Sequence, residues 1–131
     1  MEKQVNIFKA LAEETRLRIV HLLINSKKEL CCCELTDSLE ESQYNVSRHL
    51  KILKQAGLVG ERKEGRWVYS YAVPATDEFL KQLFAAINSL SDEILKRDKE
   101  NLKARLQIRV DCKCVRGIQK THLVGLRAVS K

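Results

Sequence analysis

The sequence predicts a mainly α-helical fold that carries one β-hairpin. A short helix at residues 33–39 is followed, after a three-residue turn, by a longer helix that begins at Ser42. Two helices joined by a tight turn form a helix-turn-helix arrangement. Immediately afterwards, two runs of strand-like residues enclose a glycine turn, which is typical of a β-hairpin. Together these observations predict a winged helix-turn-helix fold.

The second helix of the pair has the composition of a DNA-reading helix. Ser42 is a good N-cap, Val46, Leu50 and Leu53 follow at helical spacing, and Gly57 stands where a left-handed C-cap residue is usual. Every amphipathic helix needs a polar face, but this one combines amide, hydroxyl and cationic groups and has no acidic residue. Such side chains reach base edges and phosphates. The predicted DNA contacts on this helix are Ser42, Gln43, Asn45, Ser47, Arg48, His49 and Lys51.

The hairpin is predicted as a strand at residues 58–62, a turn at 63–66 and a second strand at 67–73. Its tip is basic, because Arg62, Lys63 and Arg66 surround a single glutamate. A charged tip is often only a solvated edge. Directly after a reading helix, however, we predict that these three residues form a wing that contacts the DNA backbone.

Helices are also predicted on both sides of this unit. Residues 5–11 and 16–24 form two short helices, in which His21 is expected to lie against the core rather than to bind metal. After Pro74, Thr76 is expected to cap one long helix that continues to Leu106, about 45 Å for 30 residues. Such a helix has no core of its own in so small a domain, which predicts a partner subunit.

Composition limits the class of protein. The chain has 131 residues, 24 Lys plus Arg and 17 Asp plus Glu, a formal charge of +7. This charge favours a polyanionic partner. Nothing resembles a signal peptide, and no apolar run approaches the roughly 20 residues needed to span a bilayer. We therefore expect a cytoplasmic protein whose five cysteines serve soft-metal ligation or redox sensing rather than disulfides.

The chain is predicted to divide at residue 110. Residues 1–110 form the winged helix-turn-helix DNA-binding and dimerisation domain, and residues 111–131 form a basic tail with two cysteines.

Three adjacent cysteines, Cys31, Cys32 and Cys33, adjoin the first helix of the pair. Each residue of an intact helix turns by about 100°, so Cys31 and Cys33 would point roughly 200° apart and could not hold one ion. Ion binding is therefore predicted to require a first turn that is non-helical or unwinds. Because this helix supports the reading helix, we expect the ion and the DNA to weaken each other's binding by the same factor.

The run SQYNVSRHLKILKQAGLV, followed by ERKEGRWVYSYAV, resembles the ArsR/SmtB family of bacterial metal-responsive winged-helix repressors over residues 7–108. The segment ELCCCEL resembles the ELCxCDL metal-binding sequence of the arsenic-responsive members. The resemblance implies a homodimer built on the first and last helices, operator DNA as partner, and As(III) or Sb(III) as inducer, without an organic cofactor. It places the principal ligands at Cys31 and Cys33.

The third cysteine of the arsenic-responsive pattern falls on Thr36, so the third ligand stays open. Trivalent arsenic prefers three thiolates, whereas zinc or cadmium normally takes four ligands. Cys32 is either that third ligand or a small buried residue. Cys112 and Cys114 of the tail are the other candidates.

Three other functions are weighed. The same fold could use Cys31 and Cys33 as a redox or persulfide sensor, since thiolates near a helix N-terminus are activated. It could also respond to Cd, Zn or Pb, although the last helix has no Asp-x-His and the N-terminal arm has no Cys or His. A thiol oxidoreductase or arsenate reductase is disfavoured, because there is no Cys-x-x-Cys, phosphate-binding loop or nucleophile with a paired base.

Overall fold

The computed structural model describes residues 1–110 and Gly117. The described residues form a mainly helical domain with one small antiparallel sheet, which confirms the predicted winged helix-turn-helix fold. In chain order the elements are α1 (Glu2–Leu11), α2 (Glu14–Ser26), β1 (Leu30–Cys31), α3 (Cys32–Leu39), α4 (Gln43–Gln55), β2 (Val59–Glu64), β3 (Trp67–Ala72), α5 (Glu78–Asn88) and α6 (Glu93–Leu106). No helix among these residues is long and apolar enough to cross a bilayer.

The helix-turn-helix pair has the caps that its sequence predicts. The Ser42 hydroxyl accepts a hydrogen bond from the Asn45 backbone N–H at 3.1 Å, so α4 begins where expected. Gly57 adopts φ 80°, the left-handed conformation that releases the chain from α4 into the hairpin. Leu35 of α3 and Val46 of α4 are both fully buried, and the apolar faces of the two helices therefore meet in the core.

The sheet contains one strand that the sequence analysis did not predict. Its order is β1-β3-β2, with antiparallel pairing throughout. The short strand β1 aligns Cys31 with Tyr69 of β3. The hairpin pairs Glu64 with Trp67, so the turn consists of Gly65 and Arg66 rather than the four residues predicted. Through β1, the cysteine segment is hydrogen-bonded to the wing.

The single long C-terminal helix was a wrong prediction. The chain leaves helical geometry between α5, which ends at Asn88, and α6, which begins at Glu93. The Ser89 hydroxyl donates back to the Ala86 carbonyl at 2.6 Å, a local bond that competes with helix continuation. The N-cap of α5 is Asp77, not Thr76, because the Asp77 carboxylate accepts from the Leu80 N–H at 2.8 Å.

The second C-terminal helix also has a core to lie on, contrary to expectation. Helix α6 packs mainly against α3, and to a lesser extent against α2. Leu95 and Leu102 supply buried apolar contacts, but Asp98, Asn101 and Arg105 on the same face are buried as well. Apolar spacing alone therefore could not reveal this interface, because much of it consists of paired polar groups.

The two described histidines make stability depend on pH. His21 lies fully inside the core, as predicted, and His49 is 5% exposed. Burial is the main cause that lowers the pKa of both imidazoles below the ordinary histidine value. The unfolded chain therefore binds more protons than the folded one once the pH falls below about 6.5.

We expect the free energy of unfolding to be highest above that pH and to decline as the pH falls through the two lowered pKa values. Urea denaturation followed by circular dichroism at pH 7.5 and pH 5.5 tests this. His49→Gln is expected to flatten the dependence. An unfolding midpoint that rises on acidification would contradict the assignment.

Candidate thiol site and nucleic-acid interface

The outer two of the three adjacent cysteines form a thiol pair. Cys31 ends β1 and is the extended N-cap of α3, with φ −80° and ψ 163°, whereas Cys33 lies within the first helical turn. Their Sγ atoms lie 2.7 Å apart. On an intact helix through Cys31 these side chains would point in opposite directions, and a non-helical start was one of the two predicted ways to bring them together. Because Cys31 stands outside the helix, the two sulfurs meet without any unwinding.

Cys32 points away from this pair. Its Sγ lies 3.3 Å from the Ser47 hydroxyl of α4 and 3.9 Å from the Thr36 hydroxyl. The structure thus separates Cys32 from the thiol pair, which disfavours it as the third ligand. Its contact with Ser47 instead joins the first turn of α3 directly to the reading helix.

A network of charged groups surrounds the thiol pair. The Glu34 carboxylate accepts from the Cys31 N–H at 3.0 Å and from Nε and Nη2 of Arg109 at 2.6 Å each. The hydrogen bonds with Glu34 are the first cause that raises the pKa of Arg109. Arg105, from the last turn of α6, places Nη2 at 3.6 Å from the Cys33 sulfur. This guanidinium therefore contacts the sulfur atom itself, which is the atom through which cysteine binds metal.

The chemistry of this pocket suits a thiophilic ion. Cys31 and Cys33 are 2% and 7% exposed, and the rings of Tyr69 and Trp67 pack against them. Over residues 1–110 and Gly117, no cluster of three or more His, Cys, Asp or Glu side chains could hold a metal ion. Two sulfurs therefore lie together among the described residues, and Cys112 and Cys114 lie outside the described residues.

The polar face of α4 is exposed, with one exception among the predicted contacts. Gln43, Ser47, Arg48 and Lys51 are exposed to solvent, and Asn45 is half-buried. His49 instead faces α2, where its Nδ1 lies 3.2 Å from Arg16 Nη1 and 3.7 Å from the Glu13 carboxylate. Being 5% exposed, His49 is removed from the predicted DNA-contacting surface.

The basic residues of the wing have different surroundings. Arg62 Nε donates to the Glu29 carboxylate at 2.6 Å, which is the first cause that raises the pKa of Arg62. Arg66 stacks over the Trp67 ring at 4.9 Å, and Lys63 is exposed. Lys63 and Arg66 are therefore placed to reach a phosphate, whereas Arg62 would have to leave Glu29.

Some residues of the site were not predicted from sequence. Tyr44 on the first turn of α4 is 76% exposed, which makes it a candidate contact to DNA beside the predicted ones. The sequence feature that could have identified Tyr44 as a DNA contact is its position within the amide-rich run at the start of α4. Arg105 and Arg109 reach the thiol pair from a stretch of mixed charge, and no sequence pattern distinguishes them from solvent-exposed arginines.

The fold and the site define a class of protein: a winged helix-turn-helix protein with a thiol pair built into the first helix of its helix-turn-helix. The family described as bacterial regulatory protein, arsR family, matches residues 13–61. The arsenic resistance transcriptional regulator ArsR1 of Pseudomonas putida is 40% identical over 92 residues, covering 70% of this chain and 71% of that protein. The arsenical resistance operon repressor of Escherichia coli is 49% identical over 65 residues, covering 50% and 55%.

Solved structures agree with these sequence relationships. Reduced HlyU from Vibrio cholerae superimposes with a TM-score of 0.56 at 35% identity, covering 66% of this chain and 85% of that one. Cadmium resistance regulators are among the further relatives. The chain belongs to the ArsR family of bacterial transcriptional repressors, a family of regulators and not of enzymes.

Proposed function

We propose that this chain is a cytoplasmic, homodimeric repressor that leaves its operator DNA when As(III) or Sb(III) binds the thiol pair. The observation that carries the proposal is the 2.7 Å contact between the Cys31 and Cys33 sulfurs, at the start of the helix that supports the reading helix. Two adjacent sulfur ligands suit a soft, thiophilic element. The relatives named for arsenic resistance support this choice of inducer.

The binding step is an exchange of ligands. Neutral arsenite is As(OH)₃, and each cysteine thiol replaces one hydroxyl, which leaves with the thiol proton as water. The oxidation state of arsenic does not change, so no oxidant or reductant is needed. Cys31 and Cys33 supply two of the three sulfurs that trivalent arsenic prefers.

The tail is the proposed source of the third sulfur. Arg109, three residues before Cys112, is bonded to Glu34 beside the thiol pair. Gly117, three residues after Cys114, accepts a hydrogen bond at 2.9 Å from Arg105, which itself contacts Cys33. Three residues span at most about 10 Å, so a short length of chain separates each tail cysteine from a residue that contacts a neighbour of the pair. We therefore assign residues 111–131 as a tail that contributes Cys112 or Cys114 to the site.

DNA binding is assigned to the exposed face of α4 and to the wing. Arg48 and Gln43 carry the bidentate groups suited to base edges, and Lys51, Lys63 and Arg66 suit phosphates. Ser42, Asn45 and Ser47 lie along the same face and complete the proposed interface. In a dimer, two such helices would meet half-sites about 34 Å apart.

The proposed dimer would cover apolar side chains that this subunit leaves exposed. Val5 and Phe8 on α1 are 41% and 54% exposed, and Phe8 packs edge-on against Phe79 of α5 at 5.8 Å between ring centroids. This patch joins the first helix to a C-terminal helix, as the family resemblance implies.

We expect Val5→Glu to weaken self-association, because it buries an unpaired carboxylate in the interface. Val68→Glu is the matched control, since Val68 on the wing is also 41% exposed. Sedimentation velocity at several protein concentrations measures the effect. Equal dimer fractions for the two variants would place the interface elsewhere.

The same sulfur contact supports a second candidate function. Two thiols at 2.7 Å are also placed to form a disulfide or to accept a persulfide sulfur, so redox or persulfide sensing is the alternative. Cadmium, zinc or lead as inducer is a further variant, supported by the cadmium resistance relatives.

Fluorescence-anisotropy titration of labelled operator DNA separates these functions. Arsenite and antimonite are expected to release the wild-type protein, whereas peroxide and polysulfide leave it bound. X-ray absorption of the arsenic-loaded protein should count three sulfur ligands, and two in the Cys112→Ser/Cys114→Ser double variant. Release by peroxide or polysulfide but not by arsenite would contradict the proposal and favour the redox sensor.

A further inference from the structure

Polar contacts join α6 to the α2–α3 region along the whole length of α3. Arg97 pairs with Glu40 at 2.8 Å, and the Asn101 side chain donates to the Ser38 carbonyl at 2.9 Å. The other ion pairs of α6 are Asp98 with Arg18 and Arg105 with Asp37, and Arg109, just beyond the end of α6, pairs with Glu34. Residue numbers rise along α6 as they fall along α3, so the helices run antiparallel and this set of polar contacts ends at the thiol pair.

Within this set of polar contacts, Arg105 contacts the thiol pair. Its side chain and that of Asp37 are both 0% exposed, and the Nε–Oδ2 distance is 2.6 Å. The same guanidinium places Nη2 at 3.6 Å from the Cys33 sulfur and at 2.9 Å from the Gly117 carbonyl. Arg105 therefore connects one of the two proposed ligands to α6 through a single rigid, planar group.

We propose that Arg105 is the positioning residue through which occupancy of the thiol pair is transmitted to α6. This inference rests on the proposed function and specifies how the site is regulated. When the Cys33 sulfur bonds to arsenic, one of its electron pairs becomes part of the new bond, and the sulfur becomes a poorer acceptor for the guanidinium. The contact between Arg105 and this sulfur is then weakened, and no water at this buried position can replace it.

The weakened contact between Arg105 and Cys33 affects the position of the whole of α6. Asp37 holds Nε on the same edge of the guanidinium, so Arg105 cannot turn away from Cys33 without also disturbing this ion pair or drawing α6 with it. In the proposed dimer, a shift of α6 alters the separation of the two reading helices, to which a two-half-site operator is sensitive. This route replaces unwinding of α3, which the contact between the sulfurs makes unnecessary. The Cys32–Ser47 contact offers the competing route, directly from α3 to α4.

The test compares Arg105→Lys with Arg18→Lys in the full-length chain. Lysine keeps the charge that pairs with Asp37 but cannot also reach the sulfur as a planar fork. Arg18 is the matched control, because it forms a buried ion pair with Asp98 in the same set of polar contacts, far from the thiols. Operator affinity is measured with and without saturating phenylarsine oxide, a trivalent arsenical that takes two thiols.

For the wild type and Arg18→Lys, we expect operator affinity to fall about 5- to 150-fold on saturation, the usual range of allosteric coupling. For Arg105→Lys, the fall should be below about fivefold, with arsenical-free operator binding retained. If the operator affinity of Arg105→Lys falls as much as that of the wild type, the inference is overturned and the proposed function still stands. If the operator affinity of the wild type does not change with phenylarsine oxide, both the inference and the proposed function are overturned.

If Arg105→Lys does not fold, hydrogen–deuterium exchange of the wild type tests the inference instead. Amides of α6 should exchange faster with phenylarsine oxide bound than without it, while amides of α2 stay unchanged. Equal exchange in α6 with and without the arsenical would overturn the inference.

Discussion

Cys31→Ser and Cys33→Ser are expected to bind operator DNA like the wild type and to remain bound when arsenite is added. Serine is close to cysteine in size and is a strong N-cap, so replacing Cys31 at its capping position should preserve the start of α3. A serine hydroxyl is a hard, protonated ligand and binds a thiophilic ion poorly. The DNA-binding form should therefore persist, while the response to arsenite is lost.

Cys32→Ser is the matched control for these two variants. The Cys32 sulfur faces Ser47 and not the thiol pair, so this variant should keep most of the arsenite response. Operator release is followed across an arsenite titration, and DNA affinity is measured separately without arsenite. Wild-type responses from both Cys31→Ser and Cys33→Ser would move the site to Cys112 and Cys114.

Arg48→Ala is expected to lose about 1–3 kcal/mol of operator binding, the usual value of a good base contact. Arg48 is exposed on α4, opposite the buried Val46, Leu50 and Leu53. Its guanidinium Nη2 lies 3.5 Å from the Nε2 of the buried His49. A base contact would therefore use the other guanidinium nitrogens or replace the contact with His49.

Lys54→Ala is the control for lost charge. Lys54 belongs to the same helix, but it pairs with Glu61 at 2.8 Å and lies near the C-terminal end. Anisotropy titrations at several salt concentrations separate the two effects, because a phosphate contact changes the salt slope and a base contact changes specificity. Equal loss of affinity in the two variants would mean that Arg48 makes no base contact.

The parts of the fold that could be predicted are those with a strong periodic signal. The 3.6-residue spacing of Val46, Leu50 and Leu53, between Ser42 and Gly57, defined α4, and alternation defined the hairpin. Strand β1 has only two residues, too few to show any period. The break at residues 89–92 was missed because its signal is local side-chain hydrogen bonding, which apolar spacing does not report.

The candidate site shows where sequence reasoning stops. The pattern of cysteines identified Cys31 and Cys33, but a helical wheel placed their sulfurs on opposite sides. The extended backbone of Cys31 at the cap is the non-helical alternative of that prediction, and the sequence could not choose between it and unwinding. The charged residues around the thiol pair could not be predicted from the sequence, for a different reason. Arg105 and Asp37 are each fully buried only because they neutralise each other, and in sequence both look like surface residues.

In the proposed function, arsenic at the thiol pair and DNA at α4 weaken each other's binding. The most direct measurement is the affinity of the wild-type dimer for arsenite, without operator DNA and with saturating operator DNA. Linkage requires DNA to weaken arsenite binding by the same factor by which arsenite weakens DNA binding, about 5- to 150-fold. We predict equal factors. An arsenite affinity that is the same for the free and the DNA-bound protein would contradict the account.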